Sequence, residues 1–115
     1  MIKVTIYKNR EGYISRFRVE GHSGYDIKGK DIVCAAVSVL AQTVLIAMVE
    51  VLNIDEELID YSIDEDTGLL DVSIPAGLSH VDLDRINILL RTFEVGIKSI
   101  IDGYSEYVTL IYKEV

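Results

Sequence analysis

The sequence predicts an α/β fold of the α+β type, a two-layer sandwich in which two helices cover one face of a mainly antiparallel sheet. Several segments alternate apolar and polar residues, as half-buried strands do. Two longer segments carry apolar residues through helical turns and divide the strands into the order ββαββαβ. Strands with one polar face, together with only two helices, favour helices on one side of the sheet. A chain of 115 residues has the length of a single domain, residues 1–115.

The first two strands are predicted as a hairpin over residues 2–19. In "IKVTIY" the apolar side chains of Ile2, Val4 and Ile6 alternate with polar ones. "NREG" supplies a turn and "YISRFRV" alternates again, so the second strand is expected to pair with the first. The loop "EGHSGYDIKGK" then leads to the first helix.

The first helix is predicted to begin after Asp31, a good N-cap residue, and to end near Leu52. Residues 32–49 are apolar except for Ser38, Gln42 and Thr43. A segment of this length also suits a membrane span, but its flanking charges are of mixed sign and the other apolar segments need a packing partner. We therefore expect no membrane contact, and a helix that is buried on one side by its own sheet and on another by a second subunit.

The second half of the chain repeats the pattern of two strands and a helix, and ends in a fifth strand. "LIDYSI" and "LLDVSIP" are predicted as paired strands around the turn "DEDTG". An amphipathic helix follows, with Ser79 and Asp82 as a capping box at its start and Gly103 at its end. "YVTLIYK" is predicted as the closing strand.

The net charge of −8 and the single cysteine narrow the classes of function. Excess negative charge disfavours direct nucleic-acid binding, because phosphates would be repelled, and favours a basic partner. Acidic residues concentrate in residues 54–66, which form either an ordinary solvated surface or a surface that attracts a Lys/Arg-rich protein substrate. One cysteine excludes an intrachain disulfide, and with no signal-like N-terminus it indicates a reducing cytoplasm.

No metal or other cofactor is expected. The two histidines and one cysteine form no close ligand pair at a zinc-like spacing, even with Asp31 as a helper. The three glycines of "GHSGYDIKGK" have neither the dinucleotide-binding spacing nor that of a P-loop.

Cys34 stands where a thiolate is favoured. With Asp31 as N-cap, it is the third residue of the helix, where backbone N–H groups lack helical partners and the helix dipole is positive. A free thiol, with a pKa of about 8.5, is only a few per cent ionised at neutral pH, so the dipole alone leaves the thiolate in the minority. A histidine would complete the activation, and His22 lies on a loop that could fold back over the helix start.

Each of these residues also has a plain structural interpretation. A lone cysteine inside a cell is often a small apolar core residue, Asp31 is most simply a cap, and His22 and His80 suit idle surface positions. Helical spacing places Ser38 on the same stripe as Asp31 and Cys34. That stripe favours a functional face, but it would equally suit a polar seam at a subunit contact.

The string "GHSGYDIKGKDIVCAAVS", residues 21–38, resembles the signature of the ribosomal-processing cysteine protease family (Prp). That signature is G-H, a short variable loop, and then G-x-D-I-V-C-A-A-V-S. The similarity extends to the opening "MIKVTIY" and the closing "YSEYVTLIYKEV". The resemblance implies a homodimeric cysteine endopeptidase that removes a short N-terminal extension from a large-subunit ribosomal protein.

Carried over to the matching positions, the resemblance implies that Cys34 is the nucleophile and His22 the general base and acid. Asp31 falls on the aspartate of the family, where it either orients the site or only caps the helix. Backbone N–H groups at the helix start, those of Cys34 or Ala35, are expected to hold the oxyanion.

The same comparison predicts supporting positions in the loop and on the helix. Gly21 and Gly29 match the glycines that let the loop turn. Separately from that match, loop 23–30 is expected to order over an extended substrate peptide, with Gly24 and Gly29 as its flexible points. Ser38 closes the matching string and shares the helix stripe of Cys34.

Two other functions remain compatible with the residues themselves. The first is a non-enzymatic, ribosome-associated binding module in which Cys34 is a packed thiol. The second is a thiol redox sensor, although the chain has no second cysteine to resolve an oxidised one.

Overall fold

The computed structural model describes residues 1–27 and 30–115. These residues form five strands, two α-helices and one short 3-10 helix. The elements are β1 (Ile2–Lys8), β2 (Ile14–Glu20), α1 (Ile32–Glu50), the 3-10 helix Glu56–Leu58, β3 (Asp60–Asp64), β4 (Leu69–Ser73), α2 (His80–Tyr104) and β5 (Val108–Glu114). The predicted order ββαββαβ is confirmed.

All five strands belong to one sheet with the order β3-β4-β2-β1-β5. β1 pairs with β2, β2 with β4, and β4 with β3 in antiparallel fashion. β5 runs parallel to β1, with Val108 opposite Ile2. The sheet is therefore mainly antiparallel, as predicted, and the strand that closes the chain lies beside the strand that opens it.

Both helices begin at the predicted caps. Asp31 accepts hydrogen bonds from the first turn of α1, and the Ser79 hydroxyl accepts one from the backbone of Asp82 at the start of α2. α1 ends at Glu50, close to the predicted end. α2 ends at Tyr104, one residue after the predicted end at Gly103. Gly103 has a helical conformation without a positive φ, so it does not act as a C-terminal cap.

The core lies between the sheet and the two helices. Phe17 on β2 and Phe93 on α2 are fully buried, with their ring centroids 4.6 Å apart. One face of α1 enters this core through the side chains of Val33, Val37, Ala41, Val44, Leu45 and Met48. The burial of this face fixes the rotation of α1 about its axis, and therefore the direction in which Cys34 points.

A second face of α1 is apolar and exposed. Ile32, Val39 and Ile46 lie seven residues apart and are 54%, 65% and 52% exposed, respectively. By length and composition alone, α1 also meets the criterion for a membrane-spanning helix, which core helices of soluble proteins meet as well.

Candidate active site

The sulfur of Cys34 is accessible at the start of α1. Its side chain is partly buried against the core, but it lines two adjoining cavities at the surface. The carboxylate of Asp31 caps the helix beneath it: Oδ1 accepts hydrogen bonds from the backbone N–H groups of Val33, at 3.0 Å, and Cys34, at 2.9 Å. The thiol is therefore not enclosed by aliphatic side chains, and the predicted cap is confirmed.

The second oxygen of Asp31 holds the loop that precedes the helix. Oδ2 accepts a short hydrogen bond from the Ser23 hydroxyl and another, of 3.2 Å, from the backbone N–H of Asp26. Burial raises the pKa of Asp31, but these bonds and the one from the Cys34 backbone outweigh it and hold the pKa at about 2. The carboxylate is therefore ionised and ties the loop to the helix start.

Ser23 contacts the sulfur through its main chain. Its backbone N–H donates a hydrogen bond to Sγ of Cys34 across 3.2 Å. Its side chain is 4% exposed, since it is bound to Asp31 below. Sequence reasoning missed this residue, and its only signal was its place between the candidate histidine and a glycine.

His22 is exposed and is held by the turn between β3 and β4, residues 65–68. Its Nε2 lies 2.9 Å from the backbone carbonyl oxygen of Asp66. The preceding Gly21 donates its N–H to the carbonyl oxygen of Thr67 at 3.0 Å. Gly21 has φ +86°, and a Cβ there would lie 2.6 Å from the carbonyl oxygen of Met1. The predicted need for glycine before the histidine therefore has both a conformational and a steric cause.

His22 and Cys34 line the same two cavities. Among residues 1–27 and 30–115, no hydrogen bond joins the ring to the thiol, since the ring contacts Asp66 and the sulfur contacts Ser23. The two predicted catalytic residues are thus brought to one place, but in separate hydrogen bonds.

The remaining predicted residues differ in position. Gly24 has φ +75°, has open space around its Cα and lines the cavity above Asp31. Ser38 is exposed on the turn of α1 after Cys34 and lines both cavities. Gly29 lies outside the described residues.

One of the two cavities is a groove of about 280 Å³ between α1 and the β3–β4 hairpin. Its apolar lining includes Val19, Val37 and Leu70. Asp64 and Glu65 lie at its edge and belong to the acidic segment 54–66. The groove extends away from the sulfur along the helix, which suits an extended chain rather than a compact small molecule.

The expected oxyanion donors are already engaged. The backbone N–H of Cys34 donates to Oδ1 of Asp31, and that of Ala35 donates to the Asp31 carbonyl oxygen at 3.0 Å. The expectation that either would be free was wrong, because the side chain and the main chain of the N-cap satisfy both. The N–H of Ser23 is the backbone donor that faces the sulfur.

The ring of Tyr25 anchors the loop that precedes α1. The Tyr25 ring packs edge-on against Tyr104, at a centroid distance of 5.5 Å, and against Tyr107, at 5.2 Å. The loop that carries His22 and Ser23 is therefore held from both sides, by Asp31 and by these two tyrosines.

No group of three or more His, Cys, Asp or Glu side chains suited to a metal ion occurs in the part of the chain that the structure describes. The available chemistry is that of a thiol, an imidazole and backbone N–H groups around a groove. This set suits nucleophilic attack on a carbonyl group.

Comparison with known proteins also indicates thiol-dependent attack on a carbonyl group. Residues 1–109 match the family described as "Cysteine protease Prp". A ribosomal processing cysteine protease from Staphylococcus aureus (strain Mu50) is 30% identical over 98% of this chain and 100% of its own length.

Two solved structures of an essential ribosomal processing protease from S. aureus resemble the fold. One contains a substrate peptide and has a TM-score of 0.80 at 26% identity. The other contains a covalently linked product peptide and has a TM-score of 0.82 at 27% identity. Each comparison covers 98% of this chain and 100% of the other.

Proposed function

The chain belongs to the cysteine protease Prp family, and we propose that it removes the short N-terminal extension of a large-subunit ribosomal protein in the cytoplasm. The observation that carries this proposal is a partly exposed thiol, at the capped start of a helix, in one groove with a histidine. The ribosomal substrate class is proposed because the relatives are ribosomal processing proteases.

In the proposed reaction, His22 takes the thiol proton of Cys34 and the resulting thiolate attacks the scissile carbonyl carbon. The positive end of the α1 dipole and the N–H of Ser23 favour the negatively charged sulfur. The imidazolium then protonates the leaving amine, and water hydrolyses the thioester with His22 again as base. Asp31 positions the sulfur and Ser23 through its cap and its loop contacts.

Charge supports a basic substrate. The chain has a net charge of −8, and Asp64 and Glu65 lie at the edge of the groove that contains the sulfur. A Lys/Arg-rich protein would be attracted to this edge, with an effect mainly on the rate of encounter.

A second copy of the chain is the proposed partner of the exposed face of α1. Ile32, Val39 and Ile46 form an apolar stripe that a homodimer contact would cover. Light scattering during gel filtration tests this proposal: Val39→Glu should convert a dimer into a monomer, whereas a monomeric wild-type chain would contradict it.

The function itself is tested with a peptide copy of a ribosomal-protein N-terminal extension, analysed by mass spectrometry. We expect two fragments with the wild-type chain, and none with Cys34→Ala or His22→Ala. His80→Ala is the matched control, because His80 is exposed at the start of α2, and it should cleave normally. Binding without cleavage by the wild-type chain would favour a binding module, whereas peroxide-sensitive thiol chemistry without cleavage would favour a redox sensor. Cleavage retained by Cys34→Ala would contradict the proposal.

A further inference from the structure

The turn between β3 and β4 contacts both His22 and the preceding Gly21. The Asp66 carbonyl oxygen lies 2.9 Å from Nε2, and the Thr67 carbonyl oxygen accepts the N–H of Gly21. Gly68 has φ +69°, and a Cβ there would overlap the carbonyl oxygen of Gly21 and stand 3.4 Å from Cε1 of His22. The ring thus rests against a turn of fixed shape.

A carbonyl oxygen can only accept a hydrogen bond, so Nε2 of His22 must carry the proton in its contact with Asp66. A neutral imidazole has one protonated nitrogen, which leaves Nδ1 with a free lone pair. Nδ1 is therefore the ring nitrogen that is able to receive a proton.

From this geometry we propose that the Asp66 carbonyl holds His22 in the Nε2–H tautomer, and that Nδ1 is the atom that takes the proton from Cys34. This inference rests on the proposed protease function. The S–H bond breaks as the Nδ1–H bond forms, giving a thiolate and an imidazolium whose Nε2–H still donates to Asp66. The Nδ1 proton later passes to the leaving amine. A proton of the hydrolytic water then moves to Nδ1 as the water oxygen attacks the thioester carbonyl carbon. The C–S bond breaks, the product acid leaves, and Nδ1 returns its proton to the sulfur.

Asp66 is in this scheme a positioning residue, because its main chain acts through the ring and does not touch the substrate. The carbonyl also stabilises the imidazolium, since a hydrogen bond to a charged donor is stronger than one to a neutral donor. This arrangement does the work that a third side chain does in catalytic triads, with a backbone oxygen in its place.

The decisive experiment replaces His22 with methylated histidines in the full-length chain. Methylation at Nδ1 removes the base, and we expect peptide cleavage to fall by at least about 100-fold, the usual contribution of a general base. Methylation at Nε2 leaves Nδ1 as the base but places a methyl group against the Asp66 carbonyl oxygen, so the ring must shift. Cleavage should therefore fall, but less than with the Nδ1-methyl residue. Wild-type rates with the Nδ1-methyl residue, or greater loss with the Nε2-methyl residue, would overturn the proposal.

A second measurement tests the role of the turn. In the long-range ¹H–¹⁵N NMR spectrum of the wild-type chain at a pH where the ring is neutral, His22 should show Nε2 protonated and Nδ1 unprotonated. Gly68→Ala must displace the turn, and we expect a more mixed tautomer population and a fall in kcat on the order of 100-fold, as for a misplaced catalytic group. Gly77→Ala is the control, because Gly77 has φ +79° and open space around it. A dominant Nδ1–H tautomer in the wild-type chain, or an unchanged ratio in Gly68→Ala, would contradict the inference.

These outcomes separate the inference from the function on which it rests. A wild-type chain that fails to cleave the peptide contradicts the protease proposal. Cleavage by the wild-type chain with no difference between the two methylated rings contradicts only the assignment of Nδ1.

Discussion

The backbone N–H of Ser23 points at the sulfur of Cys34 across 3.2 Å, while the hydroxyl of the same serine binds Asp31. One residue therefore joins the Cys34 thiol to the cap of its helix. Because the hydroxyl fixes the residue, the direction of its N–H is fixed as well. The position of the N–H donor at the thiol thus depends on the buried hydrogen bond between the Ser23 hydroxyl and Asp31.

Removal of that hydroxyl should loosen the site. Ser23→Ala leaves one oxygen of Asp31 without its buried partner, and we expect unfolding free energy to fall by about 1–3 kcal/mol. Peptide cleavage should fall further than stability explains, because the Ser23 N–H loses its fixed direction. Urea denaturation and cleavage rates measure the two effects. As a control, Ser38→Ala replaces an exposed serine of α1 and should leave stability unchanged. Equal stability of the two variants would contradict the role of the hydroxyl.

Asp31 should contribute to stability in a defined pH range. Its pKa is about 2 in the folded chain, below the ordinary value of 3.8, so its contribution is complete above about pH 4. That contribution is lost as pH falls from about 4 to about 2, because protonation breaks the hydrogen bonds that the carboxylate accepts. Denaturation curves between pH 2 and 5 should therefore show a steeper loss for the wild-type chain than for Asp31→Asn. Parallel losses in the two proteins would contradict this prediction.

Gly21 and Gly24 form a matched pair for the loop. Both have positive φ, +86° and +75°, so alanine at either position should cost about 1 kcal/mol of backbone strain. Gly21→Ala should cost more, because its Cβ would lie 2.6 Å from the Met1 carbonyl oxygen, whereas Gly24 has open space. We also expect Gly21→Ala to lose more cleavage activity, since the adjacent His22 would move. Thermal unfolding and cleavage assays check the order, and equal effects at both positions would refute it.

The acidic edge of the groove should make cleavage sensitive to salt. Glu65→Gln removes one charge beside the groove, and kcat/KM for a basic peptide should fall by up to about fivefold at low ionic strength, the effect of about 1 kcal/mol. The difference should shrink at high salt, because the charges are then screened. Glu11→Gln is the matched control, because Glu11 lies in the turn between β1 and β2. Equal salt dependence in both variants would contradict steering by this edge.

Local sequence signals predicted the parts of the site that depend on local structure. Asp31 was identifiable because an aspartate before an apolar run is a typical N-cap, and its first-turn contacts followed from helix geometry. The position of Cys34 at the helix start followed from the same cap.

Contacts made by the main chain had no signal in the residue types. The Asp66 carbonyl and the Ser23 N–H would be present with other side chains at those positions, so only the folded backbone reveals them. The Cys34 amide donates to the side chain of Asp31 and the Ala35 amide to its main-chain carbonyl, so the predicted cap itself occupies the two amides expected to hold the oxyanion. The cap role expected of Gly103 was wrong for a similar reason, because a glycine can either continue a helix or end one and its neighbours decide which.

The parallel pairing of β1 with β5 joins the two ends of the chain, and the loop that carries His22 and Ser23 packs against both ends. Gly21 abuts Met1, Tyr25 packs on Tyr104 and Tyr107, and the Ile2 N–H donates to the Tyr107 carbonyl oxygen. These contacts are distant in sequence, so we expect them to form late in folding, because closing the long loops between them costs entropy. Proteolytic activity should therefore appear only once the sheet is complete. A partly folded chain that already has its helices should not cleave other proteins in the cell.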